Sequence, residues 1–178
     1  MFKKVLLVVL IILLVLFQIG FLKEFTSFSK YFNLVLIIAI FLTFTSEFNK
    51  PLIFTIITGF ILEFNSLYLF GTYTLSLLLT IFFIKYLSNK YINQKTYYSL
   101  LIITIVGTIA YNLFIIISIN FSYIFNFNIF SYNINSSLIK DILFQLLFHS
   151  VTLSGFLYIK RLFNYKLKSK VYLKNSNE

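Results

Sequence analysis

What most constrains this chain is where its charges are absent. Six runs carry almost none of them: residues 5–22, 31–46, 51–70, 71–85, 97–119 and 138–159. A helix rises 1.5 Å per residue, so about 20 apolar residues cross the hydrocarbon core of a bilayer. The pattern predicts an all-α, polytopic integral membrane protein with six transmembrane helices. The second run is short and is expected to sit tilted or to borrow flanking residues. Pro51 suits the first turn of the third helix, where no backbone donor is missed. Asn65, Ser66 and Gly71 suggest a tight turn between the third and fourth helices, with 67–70 at the membrane surface.

The basic residues fix an orientation. Twelve of the fifteen Lys and Arg fall on one side if the N-terminus is cytoplasmic: Lys3, Lys4, Lys50, Lys85, Lys90, Lys95, Lys160, Arg161, Lys166, Lys168, Lys170 and Lys174. Only Lys23, Lys30 and Lys140 fall on the other. Lys and Arg stay with the cytoplasmic ends of spans, so both termini are expected inside. Residues 1–162 then form one transmembrane domain and 163–178 a basic cytoplasmic tail. The first run resembles a secretory signal at its basic start but lacks small residues at a cleavage site, and reads as an uncleaved span.

A composition of 60% hydrophobic residues with mean hydropathy +0.92 leaves a soluble domain unable to shield its apolar surface. A net charge of +10 would suggest nucleic acid in a soluble protein. Here the cations flank spans, so anionic lipid headgroups are the expected partners and nucleic acid is not. Without cysteine there are no disulfides or thiol chemistry. The uncharged 120–135 loop is expected on the outer surface or against a partner.

Residues three and four apart share a helix face. Thr55, Gly59, Glu63 and Ser66 form one polar stripe; Thr72, Ser76 and Thr80 a second; Thr104, Thr108 and Asn112 a third; Asp141, Gln145, His149 and Thr152 a fourth. Polar groups avoid lipid, so the four stripes are expected to face one another, leaving the first two helices more peripheral or their apolar faces awaiting a partner protein. Counted at 1.5 Å per residue, Glu63 lies roughly 20 Å from Lys50, Asn112 roughly 22 Å from Tyr97, Gln145 roughly 10 Å below Leu138 and Ser76 roughly 8 Å below Gly71. All four then belong to the outer half of the membrane. Glu63 has two readings. An acid within a span marks a functional site, or Glu63 ends its helix and bonds a nearby turn or Lys140. His149 could relay protons, or be hydrogen-bonded packing. A lone His without Cys makes no metal site. Asp141 complements a helix start.

No catalytic or cofactor motif is visible. Thr152-Leu153-Ser154-Gly155 lacks the first Gly of the rhomboid-protease pattern, and no His-Glu-x-x-His, Walker loop or paired Asp occurs. Ser154 and Gly155 are expected to allow close helix approach. The chain reads as a non-enzyme without a cofactor.

Gly59, an apolar run to Glu63, a short turn, Gly71 eight positions after the acid, Leu75, and a span ending at Lys85 resemble the signature region of the rod-shape-determining protein MreD family. The segment 143–149 resembles that family's last span. The chain departs by carrying Glu where Asp is usual and by lacking a Pro in the turn. The resemblance implies an integral component of the bacterial wall-elongation machinery, acting with the MreC protein, actin-like MreB and the wall polymerase and transpeptidase. Gly59, Glu63, Ser66, Gly71, Ser76, Asn112, Gln145 and His149 are the candidate structural and interaction residues. The alternative is a solute-binding subunit of an energy-coupling-factor transporter, which such chains resemble in size and layout. Those subunits dock through an Ala-x-x-x-Ala face, and 5–17 has no Ala.

Overall fold

A computed structural model describes residues 2–24, 31–92, 96–125 and 135–175, with side chains at 9–20, 31–92, 96–125, 135–156 and 158. Every element in it is a helix: α1 Phe2–Glu24, α2 Leu34–Thr45, α3 Asn49–Glu63, α4 Thr72–Tyr91, α5 Tyr97–Ile124 and α6 Ser136–Asn175. All six expected segments are thus helical. Among the described residues, α5 alone is both long and apolar enough to cross a membrane by itself. At 12 and 15 residues, α2 and α3 measure only about 18 and 22 Å. Residues 163–175, expected as a tail, continue α6 without a break. Most of the 120–135 loop lies outside the described residues, as do Lys30, Lys95 and the side chains of the basic tail.

Local chemistry sets the helix ends. α3 carries Pro51 in its first turn, as the sequence suggests. Thr96 opens α5 with a capping box: its hydroxyl accepts from the Ser99 N–H, and the Ser99 hydroxyl accepts from the Thr96 N–H. The Asn135 side chain caps α6 by accepting from the Leu138 N–H at 3.1 Å. Asp141 therefore sits in the second turn and does not start the helix. The third expected span is cut short at Glu63, and residues 64–71 form a turn in which Leu67 is 88% exposed.

The packing centre is α2, which corrects the expectation that the first two helices are peripheral. Val35, Leu36, Ala39 and Ile40 are fully buried. Around α2 stand α1, α3, α4 and α5. The reason lies in its sequence, LVLIIAIFLTFT, which is apolar on every side; such a helix belongs in a core. Leu77, Ile81 and Ile84 of α4 and Leu100 and Ile103 of α5 close this core. Outside it the bundle is also apolar: Leu13, Ile53, Phe82, Ile102, Ile117, Leu147 and Val151 are all more than half exposed.

Candidate functional site

The α3–α4 turn is built around three of the predicted residues. Gly71 stands at the N-cap of α4 with φ +103°, a conformation that a Cβ would strain. It brings no side chain to the orphan N–H groups of the first turn. Glu63 supplies the acceptor from the neighbouring helix. Its Oε1 accepts from the Thr74 backbone N–H at 2.9 Å and lies 3.3 Å from the Thr74 hydroxyl. A carboxylate there also complements the positive end of α4. The reach works because the two helices touch at Gly59, where an added Cβ would stand 2.7 Å from the Thr74 Cα. Ser66 orders the turn: its N–H donates to the Glu63 carbonyl at 3.0 Å and its hydroxyl accepts from the Tyr68 N–H at 3.0 Å. The other carboxylate oxygen, Oε2, is buried without a hydrogen-bond partner.

A second polar constellation surrounds the start of α2. This helix begins inside the bundle, level with Thr108 near the middle of α5, and its exposed backbone donors find side chains from three elements. Asn33 caps its own helix, Oδ1 accepting from the Leu36 N–H at 3.0 Å. Gln18 of α1 accepts the Val35 N–H at 2.9 Å and reaches Asn33 Oδ1 with its amide at 3.4 Å. His149 of α6 accepts the Asn33 N–H at Nε2, 3.2 Å away.

That last bond fixes the tautomer of His149. A backbone N–H can only donate, so Nε2 carries no proton and the neutral ring holds its proton on Nδ1. Nδ1 lies 3.0 Å from the Thr108 hydroxyl and donates to it. The hydroxyl in turn donates a hydrogen bond to the Thr104 carbonyl at 2.8 Å. Asn112 continues the network, donating to the Thr108 carbonyl at 2.8 Å and to Gln145 Oε1 at 2.7 Å. His149 is fully buried and Gln145 nearly so. Both ring nitrogens of His149 are occupied, which matches hydrogen-bonded packing.

The four stripes therefore meet in part. Those of α5 and α6 join through Thr108, His149, Asn112 and Gln145. The α4 stripe reaches α5 by a hydrogen bond at Ser76, whose partner Ser118, 3.5 Å away, lies off the expected α5 stripe. Most hydroxyls turn back on their own helix: Thr55 to the Pro51 carbonyl, Ser76 to Thr72, Thr80 to Ser76 and Thr104 to Leu100. Back-bonding satisfies a hydroxyl without a partner helix. Glu63 hydrogen-bonds neither Asn112 nor Gln145, so the expected outer cluster is two clusters. Tyr111 is buried, hydrogen-bonds Asn33 and lies within electrostatic range of Tyr73 and Glu63, so it relates to both clusters. Ser154 does tie two helices, accepting from the Tyr97 hydroxyl at 2.7 Å, whereas Gly155 faces open space and permits no close approach.

Sequence reasoning missed Asn33, Thr74 and Tyr111, and gave Gln18 no role. Asn33 had a signal: an Asn directly before an apolar helical run is an N-cap pattern. Thr74 had none, because its contact crosses between helices. No protein-family model, curated protein or solved structure matches this chain.

Proposed function

We propose that this chain is a six-span membrane scaffold of the MreD type, with both termini cytoplasmic, working in the bacterial wall-elongation machinery. It acts without catalysis or cofactor, by presenting helix faces to partner spans such as those of an MreC-like protein. The observation that carries this reading is the α3–α4 hairpin. Gly59, Glu63 and Gly71, the residues of the family-like motif, converge on one piece of local engineering, the cross-helix cap of Thr74.

Two further observations support a membrane setting. The exterior of the bundle is apolar over much of its length, far beyond the few hundred Å² that soluble monomers tolerate. The cationic positions gather at the end where α3 and α5 start and α4 and α6 finish, the arrangement of a cytoplasmic face. The bundle in this reading holds α2 as a half-crossing, its non-helical entry buried in protein as hydrocarbon requires. The uptake reading has less to stand on, since Gln18, Asn33, Thr108, Asn112, Gln145 and His149 spend their polar groups on one another.

Depletion of the protein with microscopy tests the proposal. Loss of rod shape is expected; unchanged shape with a new vitamin requirement would replace it with the uptake reading. Glu63→Leu removes the cap acceptor, and co-purification of an MreC-like partner should weaken. Unchanged co-purification would remove Glu63 from partner recognition.

A further inference from the structure

A groove runs along the outside of the α4–α5 pair. Its lower compartment, about 540 Å³, is lined by Leu87, Tyr91, Tyr98, Ile102 and Val106 among others, with the Thr96 and Ser99 side chains at its end. An upper compartment of about 310 Å³ continues from Val106 past Ala110 and Leu113 to Ile117. From Tyr98 to Ile117 the groove follows α5 for about 29 Å, the thickness of a hydrocarbon core, and Val106 marks its middle. The lower compartment therefore matches the depth of one leaflet.

The two ends differ in charge. The upper compartment is lined entirely by apolar side chains. Lys90 does not line the lower compartment but adjoins it through Tyr91. Its Nζ donates to the Tyr86 hydroxyl at 3.2 Å and lies 5.3 Å from the centre of the Tyr91 ring, which itself lines the groove. No acidic residue lines either compartment. A cation that adjoins the lining through the Tyr91 ring, with the Thr96 and Ser99 hydroxyls at the end of an apolar channel one leaflet deep, matches an amphiphile with an anionic head and a hydrocarbon tail.

We infer that the lower half of the α4–α5 groove is a binding site for one anionic phospholipid of the cytoplasmic leaflet, its acyl chain along Ile102 and Val106 and its phosphate at Lys90. The inference rests on the membrane reading above but not on the wall-elongation role.

The test uses the full chain in mixed micelles containing equal phosphatidylglycerol and phosphatidylcholine, with phospholipid per chain counted after gel filtration. The expected result is retention of phosphatidylglycerol over phosphatidylcholine by about five-fold, the share of one headgroup cation. Lys90→Gln should bring the two lipids to parity. Ile102→Phe, at a position 59% exposed and outside the core, should lower retention of both. Equal retention by the unaltered chain, or a preference that survives Lys90→Gln, overturns the site. So does a stoichiometric protein helix crosslinking to Ile102 in place of lipid. A chain extracted by carbonate into the aqueous fraction overturns the membrane reading and the site together; a membrane-embedded chain without lipid preference overturns the site alone.

Discussion

The two ends of helices that begin among other helices, α2 and α4, solve the same problem differently. Each exposes backbone N–H groups where water is scarce. At α2 the solution is distributed: Asn33, Gln18 and His149 come from the linker, α1 and α6, and each side chain is itself bonded onward. At α4 the solution is one carboxylate, half of which is left without a donor. The first arrangement locks four elements together and tolerates no missing member. The second locks only the two arms of one hairpin. The difference teaches that the start of α2 ties several helices together, while the cap at α4 acts within one hairpin whose apolar faces still belong to the common core.

The comparison breaks most directly at His149. His149→Ala removes the acceptor of the Asn33 N–H, the donor to Thr108, and the volume of a fully buried ring. An unsatisfied buried donor and a cavity together should destabilise by about 3 kcal/mol. Gln145→Leu should cost less, because Asn112 keeps its bond to the Thr108 carbonyl. Denaturant titration of the detergent-solubilised protein measures both. Equal effects would mean that the α2 start is not the centre of the network.

Next in size is the pair Gly59→Ala and Gly107→Ala. At Gly59 the new methyl meets backbone, the Thr74 Cα at 2.7 Å, so α3 and α4 must separate and Glu63 must lose its reach. Overpacking of this kind costs about 1–3 kcal/mol. At Gly107 the same methyl meets the Cδ1 atoms of Ile84 and Ile40, flexible ends that rotate away. Thermal unfolding should show the larger loss for Gly59→Ala. The reverse order would move the tight contact of the fold from the hairpin to the α2 core.

Much of the architecture is legible in the chain because segregation of charge from apolar runs is a long-range pattern that needs no tertiary knowledge. The helical segments follow from it; the turn at Gly71 comes from its turn residues and the meeting of the α5 and α6 stripes from helical spacing, while the end of α3 at Glu63 is one of two readings the chain leaves open and falls short of the 51–70 span expected. What the pattern hides is where a helix ends inside the bundle. Counting residues against bilayer thickness pushes the second span out to Tyr31, past the cap at Asn33, because the count assumes that each span crosses completely. The stripes mislead for a related reason. Thr55, Ser76 and Thr80 look like groups seeking partners across helices, yet a hydroxyl on a helix already has a carbonyl one turn back. Among the described residues, the longer polar side chains Glu63, His149, Gln145, Asn112 and Gln18 carry hydrogen bonds from one helix to another.

Glu63 gives the smallest effect and the sharpest distinction. Glu63→Gln keeps an oxygen for the Thr74 N–H and places an amide where Oε2 has no donor. It gives up the attraction of a charge to the helix end, about 0.3–1 kcal/mol, and removes a half-satisfied buried charge, whose burial is itself unfavourable. These terms oppose, so unfolding should shift by less than about 1 kcal/mol. Glu63→Leu loses the acceptor as well and should cost about 1–2 kcal/mol, the worth of a helix cap. If Gln behaves like Leu in the same titration, then the negative charge itself holds the hairpin, and the α4 start depends on electrostatics where the α2 start depends on hydrogen bonds. If Gln behaves like Glu, the two starts share one mechanism and differ only in how many elements they tie together.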